Sequence, residues 1–171
     1  MHVRTATRAD LPALLDIQNH VTRHLAASWT TIEETLDSKR EWFDAQQAAG
    51  WPVFVAEDES GIVQGYASYG PYRPKNGYRF TVSNSVYVRE QASGKGLGRA
   101  LMNAVIEHAR SEGYHAMVAG IDGDNASSIA FHEALGFIVS GRLPQVGTKF
   151  GRWLDLVQMV LLLNDEPAPA A

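Results

Sequence analysis

The fold of this chain is decided by the stretch Val86-Tyr87-Val88-Arg89-Glu90-Gln91-Ala92-Ser93-Gly94-Lys95-Gly96-Leu97-Gly98-Arg99. A β-rich run leads into three alternating glycines, and apolar residues at helical spacing begin near the last of them. Such a turn directs successive backbone N–H groups into one concavity, to which the helix N-terminus adds partial positive charge. With Lys95 and Arg99 beside it, the pattern predicts a site for a phosphate or pyrophosphate.

Two common phosphate-binding patterns do not fit this turn. The Walker pattern needs Ser or Thr after Gly-Lys, and here Gly96 follows Lys95. The dinucleotide fingerprint counted from Gly96 needs a glycine at position 101, where Leu101 stands. A tight strand-to-helix turn without a ligand is the structural alternative, although three alternating glycines exceed what packing requires.

Length and composition bound the class of protein. The chain has 171 residues, of which 45% are hydrophobic and 20% charged, and this predicts one domain with its own core. The absence of cysteine excludes disulfides, thiolate metal sites and a cysteine nucleophile. A net charge of -4 gives no electrostatic argument for nucleic acid. Because no apolar run reaches bilayer length and no signal-peptide core is seen, we expect a cytoplasmic protein with no membrane partner.

Periodicity predicts the element order α-α-β-β-β-α-β-α-β-β, which is typical of one mixed α/β or α+β domain. Helices are predicted over 8–26, from Thr30 or Thr31 to Ala49, over 98–113 and over 125–135; strands are predicted over 51–57, 62–69, 81–89, 116–121, 137–145 and 154–163. The domain is expected to span 1–163, with a disordered Pro/Ala-rich tail over 164–171.

At this point the sequence resembles the GNAT superfamily of acetyl-CoA-dependent N-acetyltransferases. The family signature Gln/Arg-x-x-Gly-x-Gly/Ala is similar to Ser93-Gly94-Lys95-Gly96-Leu97-Gly98, with Ser93 departing from the first position. A second family element, from Asn125 through His132 to Leu135-Gly136-Phe137, follows at the expected distance.

Four further segments look like the phosphinothricin / methionine sulfoximine N-acetyltransferase subfamily: 65–70, 85–88, 117–121 and 145–156. The resemblance implies a GNAT fold, with a mostly antiparallel sheet, a splayed strand pair and flanking helices. It also implies acetyl-CoA as cosubstrate, no metal, a homodimer, and direct acetyl transfer to the α-amine of a small amino-acid analogue such as methionine sulfone, methionine sulfoximine or phosphinothricin.

By the same resemblance, acetyl-CoA contacts fall on Val86, Tyr87, Val88, Gly94, Lys95, Gly96, Leu97, Gly98, Arg99 and Asn125. The Val88 N–H would polarise the thioester oxygen. His132, two helical turns after Asn125, would act near the thiol as proton donor or water anchor. A helix N-cap for Asn125 and an ordinary half-buried histidine at 132 are the structural alternatives.

Substrate contacts are implied for Trp29, Arg73, Pro74, Lys75, Arg79, Ser83, Asn84 and Ser85. The two arginines suit a carboxylate, since a guanidinium can donate two parallel hydrogen bonds to it. Lys75 stands where the subfamily usually has an aromatic residue, and core packing is the alternative for Trp29.

The general base is where the chain departs from its relatives. The subfamily has Thr-Val-Glu-His/Ser-Ser-Val-Tyr-Val, whereas this chain has Thr81-Val82-Ser83-Asn84-Ser85-Val86-Tyr87-Val88. A serine hydroxyl cannot replace a glutamate base. Either a water held by Ser83, Asn84 and Ser85 carries the proton, or substrate and activity have drifted. A polyamine or peptide N-terminus as substrate, and an acyl-CoA-binding sensor without catalysis, stay open as alternatives.

Overall fold

The computed structural model describes residues 2–169, which form a seven-stranded sheet with helices packed on both faces. The strands are β1 (His2–Thr5), β2 (Val53–Glu57), β3 (Val63–Pro71), β4 (Thr81–Val88), β5 (Ala116–Asp122), β6 (Ile138–Lys149) and β7 (Arg152–Leu162); the helices are α1 (Leu11–His24), α2 (Leu36–Ala48), α3 (Leu97–Ser111) and α4 (Ala126–Glu133). Within residues 2–169 no helix is both long and apolar enough to cross a membrane. The last two positions of the predicted tail lie outside the described residues, and its disorder stays a prediction.

The strand order is β1-β2-β3-β4-β5-β7-β6, and every neighbouring pair is antiparallel except β4 and β5. These two parallel strands pair only from Thr81 to Ser83, although β4 continues to Val88 and β5 to Asp122. The strands therefore separate beyond Ser83 and leave a gap in the sheet. The predicted α+β fold with a splayed strand pair is confirmed.

The two faces of the sheet carry separate cores. On one face α3 packs against the sheet with Val82, Ala119 and Ile121 among its contacts. On the other face α1 and α2 pack against Tyr66, with Tyr87 at the edge of the cluster. Because side chains alternate along a strand, this assigns each residue of β4 and β5 to one face.

Some sequence-predicted boundaries were wrong. The strand β1 was not predicted. It has only four residues, too few for a clear pattern, and it is a strand because it pairs with β2. Helix α2 begins at Leu36 rather than near Thr30, because Thr35 caps it: its Oγ1 accepts the Ser38 N–H at 3.1 Å. The strand predicted over 137–145 runs on to Lys149, and β7 begins at Arg152.

Candidate active site

The gap between β4 and β5 opens into a groove that reaches the glycine turn. The groove has two adjoining cavities, of about 100 and about 400 Å³, which share Ala27, Val86, Tyr87, Asn125 and Ser128 in their lining. We call the first the inner cavity and the second the outer cavity. Sequence-predicted residues that line one or both are Asn84, Ser85, Val86, Tyr87, Val88, Gly94, Gly96, Gly98, Arg99, Asn125 and His132. Lys95 and Leu97 are not in the lining, and Leu97, the first residue of α3, is buried in the core.

The glycine turn owes its shape to two backbone conformations. Gly94 and Gly96 have φ of 74° and 82°, a region that favours glycine, whereas Gly98 lies inside α3. The glycines of the family signature are therefore Gly94 and Gly96, and its first position is Gln91, so the departure assigned to Ser93 was wrong. At Gly98 an added Cβ would lie 3.4 Å from the Phe131 ring, so a side chain there would be in close contact but not in overlap.

Helix α3 begins at the outer cavity without a side-chain cap. Gly96 is its N-cap, and the first intrahelical bond runs from the Ala100 N–H to the Gly96 carbonyl at 3.0 Å. The preceding N–H groups of the first turn have no partner within the helix. An exposed Arg99 lines the same cavity. Free N–H groups, the helix dipole and a guanidinium together form an environment that suits a phosphate group.

The edge of β4 that faces the gap presents backbone N–H groups to the groove. The Arg89 N–H donates to the Gln64 carbonyl at 2.8 Å, on the β3 side. In an antiparallel pair the direction of N–H groups alternates, so those of Val86 and Val88 point away from β3. The ladder with β5 has already ended at Ser83. The gap thus has room for an extended ligand that accepts hydrogen bonds from the strand.

Asn125 and His132 lie on the same side of the inner cavity. The Asn125 side chain caps α4 and accepts the Ser128 N–H at 3.0 Å. This is the N-cap role given above as the structural alternative to a cofactor contact. His132 is 3% exposed, and its Nδ1 lies 2.8 Å from the Ser128 carbonyl, so Nδ1 carries the proton. Nε2 then accepts the Asn84 amide N–H at 3.3 Å. Burial lowers the pKa of His132, which favours the neutral ring. A neutral ring whose Nε2 accepts a hydrogen bond does not suit the predicted role of proton donor.

Ser83, Asn84 and Ser85 do not share one face of β4. The Asn84 amide contacts Met102 of α3 and His132 of α4. Strand alternation directs Ser83 and Ser85 to the opposite face, toward α1. Of these three residues, Asn84 and Ser85 line the inner cavity and Ser83 does not. This placement counts against one water held by all three residues, which was one of the two open alternatives for the proton.

The predicted substrate loop lies apart from the groove in the single chain. Arg73, Pro74, Lys75 and Arg79 line a separate cavity of about 250 Å³ with Trp51 and Tyr114, at the start of β4. The Arg73 guanidinium lies 5.1 Å from the centre of the Tyr72 ring. The carboxylate-binding role of the two arginines stays a prediction, because the lining of this cavity shares no residue with that of the inner cavity.

Trp29 packs against the β6–β7 hairpin. A Cβ added to Gly147 would lie 2.3 Å from its ring. The side chain of Lys149 reaches the same region, donating to the Leu25 carbonyl at 2.7 Å and also to the Ser28 carbonyl. These contacts hold the segment 25–29, whose Ala27 lines the groove. Trp29 itself is absent from the groove lining. This agrees with a packing role rather than a substrate contact for Trp29.

Asp122 is the residue that sequence reasoning missed. It ends β5, is 5% exposed and lines the inner cavity. Its Oδ1 accepts only a long hydrogen bond, from the Asp124 N–H at 3.4 Å, and its Oδ2 lies 3.8 Å from Arg152. The available signal was an acidic residue directly after the apolar strand predicted over 116–121; its burial, which is rare for an acid without a partner, is seen only in the structure.

Comparison with known proteins gives the family. The model of the acetyltransferase (GNAT) domain matches residues 3–158. An L-methionine sulfoximine/L-methionine sulfone acetyltransferase from Salmonella typhimurium is 48% identical over 171 residues, covering 100% of this chain and 99% of its own length. A phosphinothricin N-acetyltransferase from Alcaligenes faecalis is 37% identical, covering 95% of this chain and 82% of its own.

A solved structure shows the same likeness in three dimensions. A protein from Salmonella typhimurium, determined with its cofactor acetyl-CoA, is 48% identical and superposes with a TM-score of 0.97. The match covers 100% of this chain and 98% of that one. Acetyltransferases of this family use acetyl-CoA, which agrees with a groove that joins the glycine turn to a splayed strand. The chain belongs to the GNAT family of acetyltransferases.

Proposed function

We propose that this chain transfers the acetyl group of acetyl-CoA to the α-amine of a small amino-acid analogue such as methionine sulfone, methionine sulfoximine or phosphinothricin. The observation that carries the proposal is the continuous groove from the glycine turn to the gap between β4 and β5. The first turn of α3 would hold the pyrophosphate, and the N–H groups of Val86 and Val88 would bind the acyl arm. The names of relatives at 48% and 37% identity support the substrate class.

In the proposed reaction the protein has to position the amine against the thioester and provide groups or water that accept and donate protons. The amine attacks the thioester carbonyl, a C–N bond forms, and the C–S bond breaks. The Val88 N–H would stabilise the negative charge that develops on the carbonyl oxygen. Because a thiolate leaves easily, a weak acid or water suffices to protonate it.

The test is thiol release from acetyl-CoA with a panel of amines: L-methionine sulfone, L-methionine sulfoximine, phosphinothricin, spermidine and an alanyl peptide. We expect turnover with the first three and little with the others. Turnover with only spermidine or only the peptide would show that the substrate is a polyamine or a peptide N-terminus and not an amino-acid analogue. Acetyl-CoA binding in calorimetry, without thiol release on any amine, would favour the sensor without catalysis.

We also propose that the chain forms a homodimer through β6 and β7. β6 is an edge strand, and the two strands expose large apolar side chains: Ile138, Val139, Leu143, Val146, Trp153 and Leu162. An exposed apolar strip on a sheet edge is a common interface. Light scattering should give twice the monomer mass, and Ile138→Lys should lower it, whereas Ile62→Lys on the β2–β3 turn should not. The cytoplasmic location stays a prediction.

A further inference from the structure

The inner cavity is where an acetyl group and an amine would meet. It lies deep in the gap, its lining includes Gly120 and Asp122 of β5, and it contains none of the turn glycines. The cofactor's phosphates would occupy the outer cavity instead. An amine that attacks the thioester must lose a proton as the amide forms. A side chain that accepts this proton directly has to line the inner cavity.

Three titratable side chains line the inner cavity within the described residues: Tyr87, His132 and Asp122. Burial raises the pKa of Tyr87, so it stays a neutral phenol. Both ring nitrogens of His132 are engaged, one by a carbonyl and the other by the Asn84 amide. Asp122 is the one carboxylate in that lining, and β4 supplies none over Thr81–Val88.

The carboxylate of Asp122 is incompletely partnered. Arg152 is its nearest cation at 3.8 Å, and that guanidinium is bound more closely by Asp124 at 2.7 Å. Among residues 2–169, its one hydrogen bond is the long contact from the Asp124 N–H. Oxygen lone pairs are therefore free to accept a proton or a water from the cavity. The side chain lies on the α1 face of the sheet, opposite His132, because Ala119 and Ile121 face α3.

We propose that the Asp122 carboxylate accepts the proton that the substrate amine loses during acetyl transfer. The inference rests on the proposed function. As the nitrogen bonds to the carbonyl carbon and the C–S bond breaks, one N–H proton passes to Asp122. The thiolate takes a proton from solvent, and Asp122 returns its own to solvent, so the step balances without another reactant. The charged and titratable groups around Asp122 are Asp124, Arg142, Arg152, Asp155, Tyr87 and His132.

The experiment compares Asp122→Asn with Asp124→Asn, a matched control that removes the closer partner of Arg152. Thiol release with L-methionine sulfone is followed from pH 7 to 10. We expect Asp122→Asn to lower kcat/KM about 100-fold at pH 7, in the usual range for a lost base. The deficit should narrow as pH rises, because hydroxide can take the proton. Asp124→Asn keeps the Asp122 carboxylate but frees Arg152 to approach it, and because a half-exposed ion pair is weak, its loss should stay below about fivefold at every pH.

Further measurements separate chemistry from folding and from the proposed function. Calorimetry should give the same acetyl-CoA affinity for Asp122→Asn as for the wild type, and Asp122→Glu should recover at least tenfold over Asp122→Asn. A rate for Asp122→Asn within threefold of Asp124→Asn would overturn the inference. Equal losses in Asp122→Asn and Asp122→Glu would also overturn it, since they would assign Asp122 to the turn alone. A wild type that releases no thiol with any amine refutes the proposed function instead.

Discussion

Replacing Lys149 by Met should destabilise the whole domain, although the residue lies at the tip of a hairpin. Its side chain is 3% exposed, and no carboxylate lies within ion-pair distance of it in the described residues. The ammonium donates to carbonyl oxygens at and beyond the end of α1: Val21 at 3.5 Å, Leu25 at 2.7 Å and Ser28. A cation in this position also compensates the negative end of the helix dipole.

The magnitude follows from those contacts. A hydrogen bond to a charged group contributes about 1.5–3 kcal/mol when its partner cannot be replaced. Leu25 and Ser28 lie near the surface, where water can replace part of the loss, and the Val21 contact is long. Met preserves most of the stem volume, so the cavity term is small. We therefore expect a loss of about 3 kcal/mol, set mainly by the two short contacts.

Thermal unfolding followed by circular dichroism measures the effect. For a domain of this size, 3 kcal/mol corresponds to a fall in Tm of about 6–12 °C. Lys75→Met, at an exposed lysine, is the matched control and should change Tm by less than about 2 °C. A Tm for Lys149→Met within about 2 °C of the wild type would refute the argument that these carbonyls need the ammonium.

The other predictions concern single positions. Gly147→Ala should lower stability by about 1–3 kcal/mol in urea unfolding, because its Cβ would overlap the Trp29 ring, and an unchanged midpoint would contradict this. Gly96→Ala should cost about 1–2 kcal/mol and weaken acetyl-CoA binding, because its φ is 82°; Gly77→Ala, in open space, should do neither. His132 is buried with a lowered pKa, so the unfolded chain binds more protons below about pH 6.5. Lowering the pH from 7.5 to 5 should therefore cost the wild type more unfolding free energy than His132→Gln, and parallel curves would count against a neutral buried ring.

Local pattern predicted the parts of the fold that depend on neighbours in sequence. The apolar spacing of α3 and the stop at Gly113 come from residues within one helix, and the structure places α3 at Leu97–Ser111. The glycine turn was likewise visible, because a positive φ favours glycine whatever lies nearby. The sequence did not predict β1, since its four residues become a strand only by pairing with β2.

Residue types alone could not predict which side chains are in contact in the folded chain. Ser83 and Asn84 are adjacent in sequence, yet strand alternation places Asn84 beside His132 and Ser83 on the opposite face. The loop with Arg73 and Arg79 matched a substrate loop in sequence, but it lines a cavity of its own. Both outcomes depend on where the strands lie relative to the helices, which no local spacing contains.

By itself, the sequence determined that a strand, a glycine turn and a helix follow one another, and it predicted a phosphate site there, because backbone conformation and helix dipole are local properties. The resemblance carried by that stretch led to the GNAT family. Only the tertiary structure decided that β4 and β5 part after Ser83, and that Asp122 comes to line the gap. The reason is that the gap is bounded by strands paired to different partners, β3 on one side and β7 on the other.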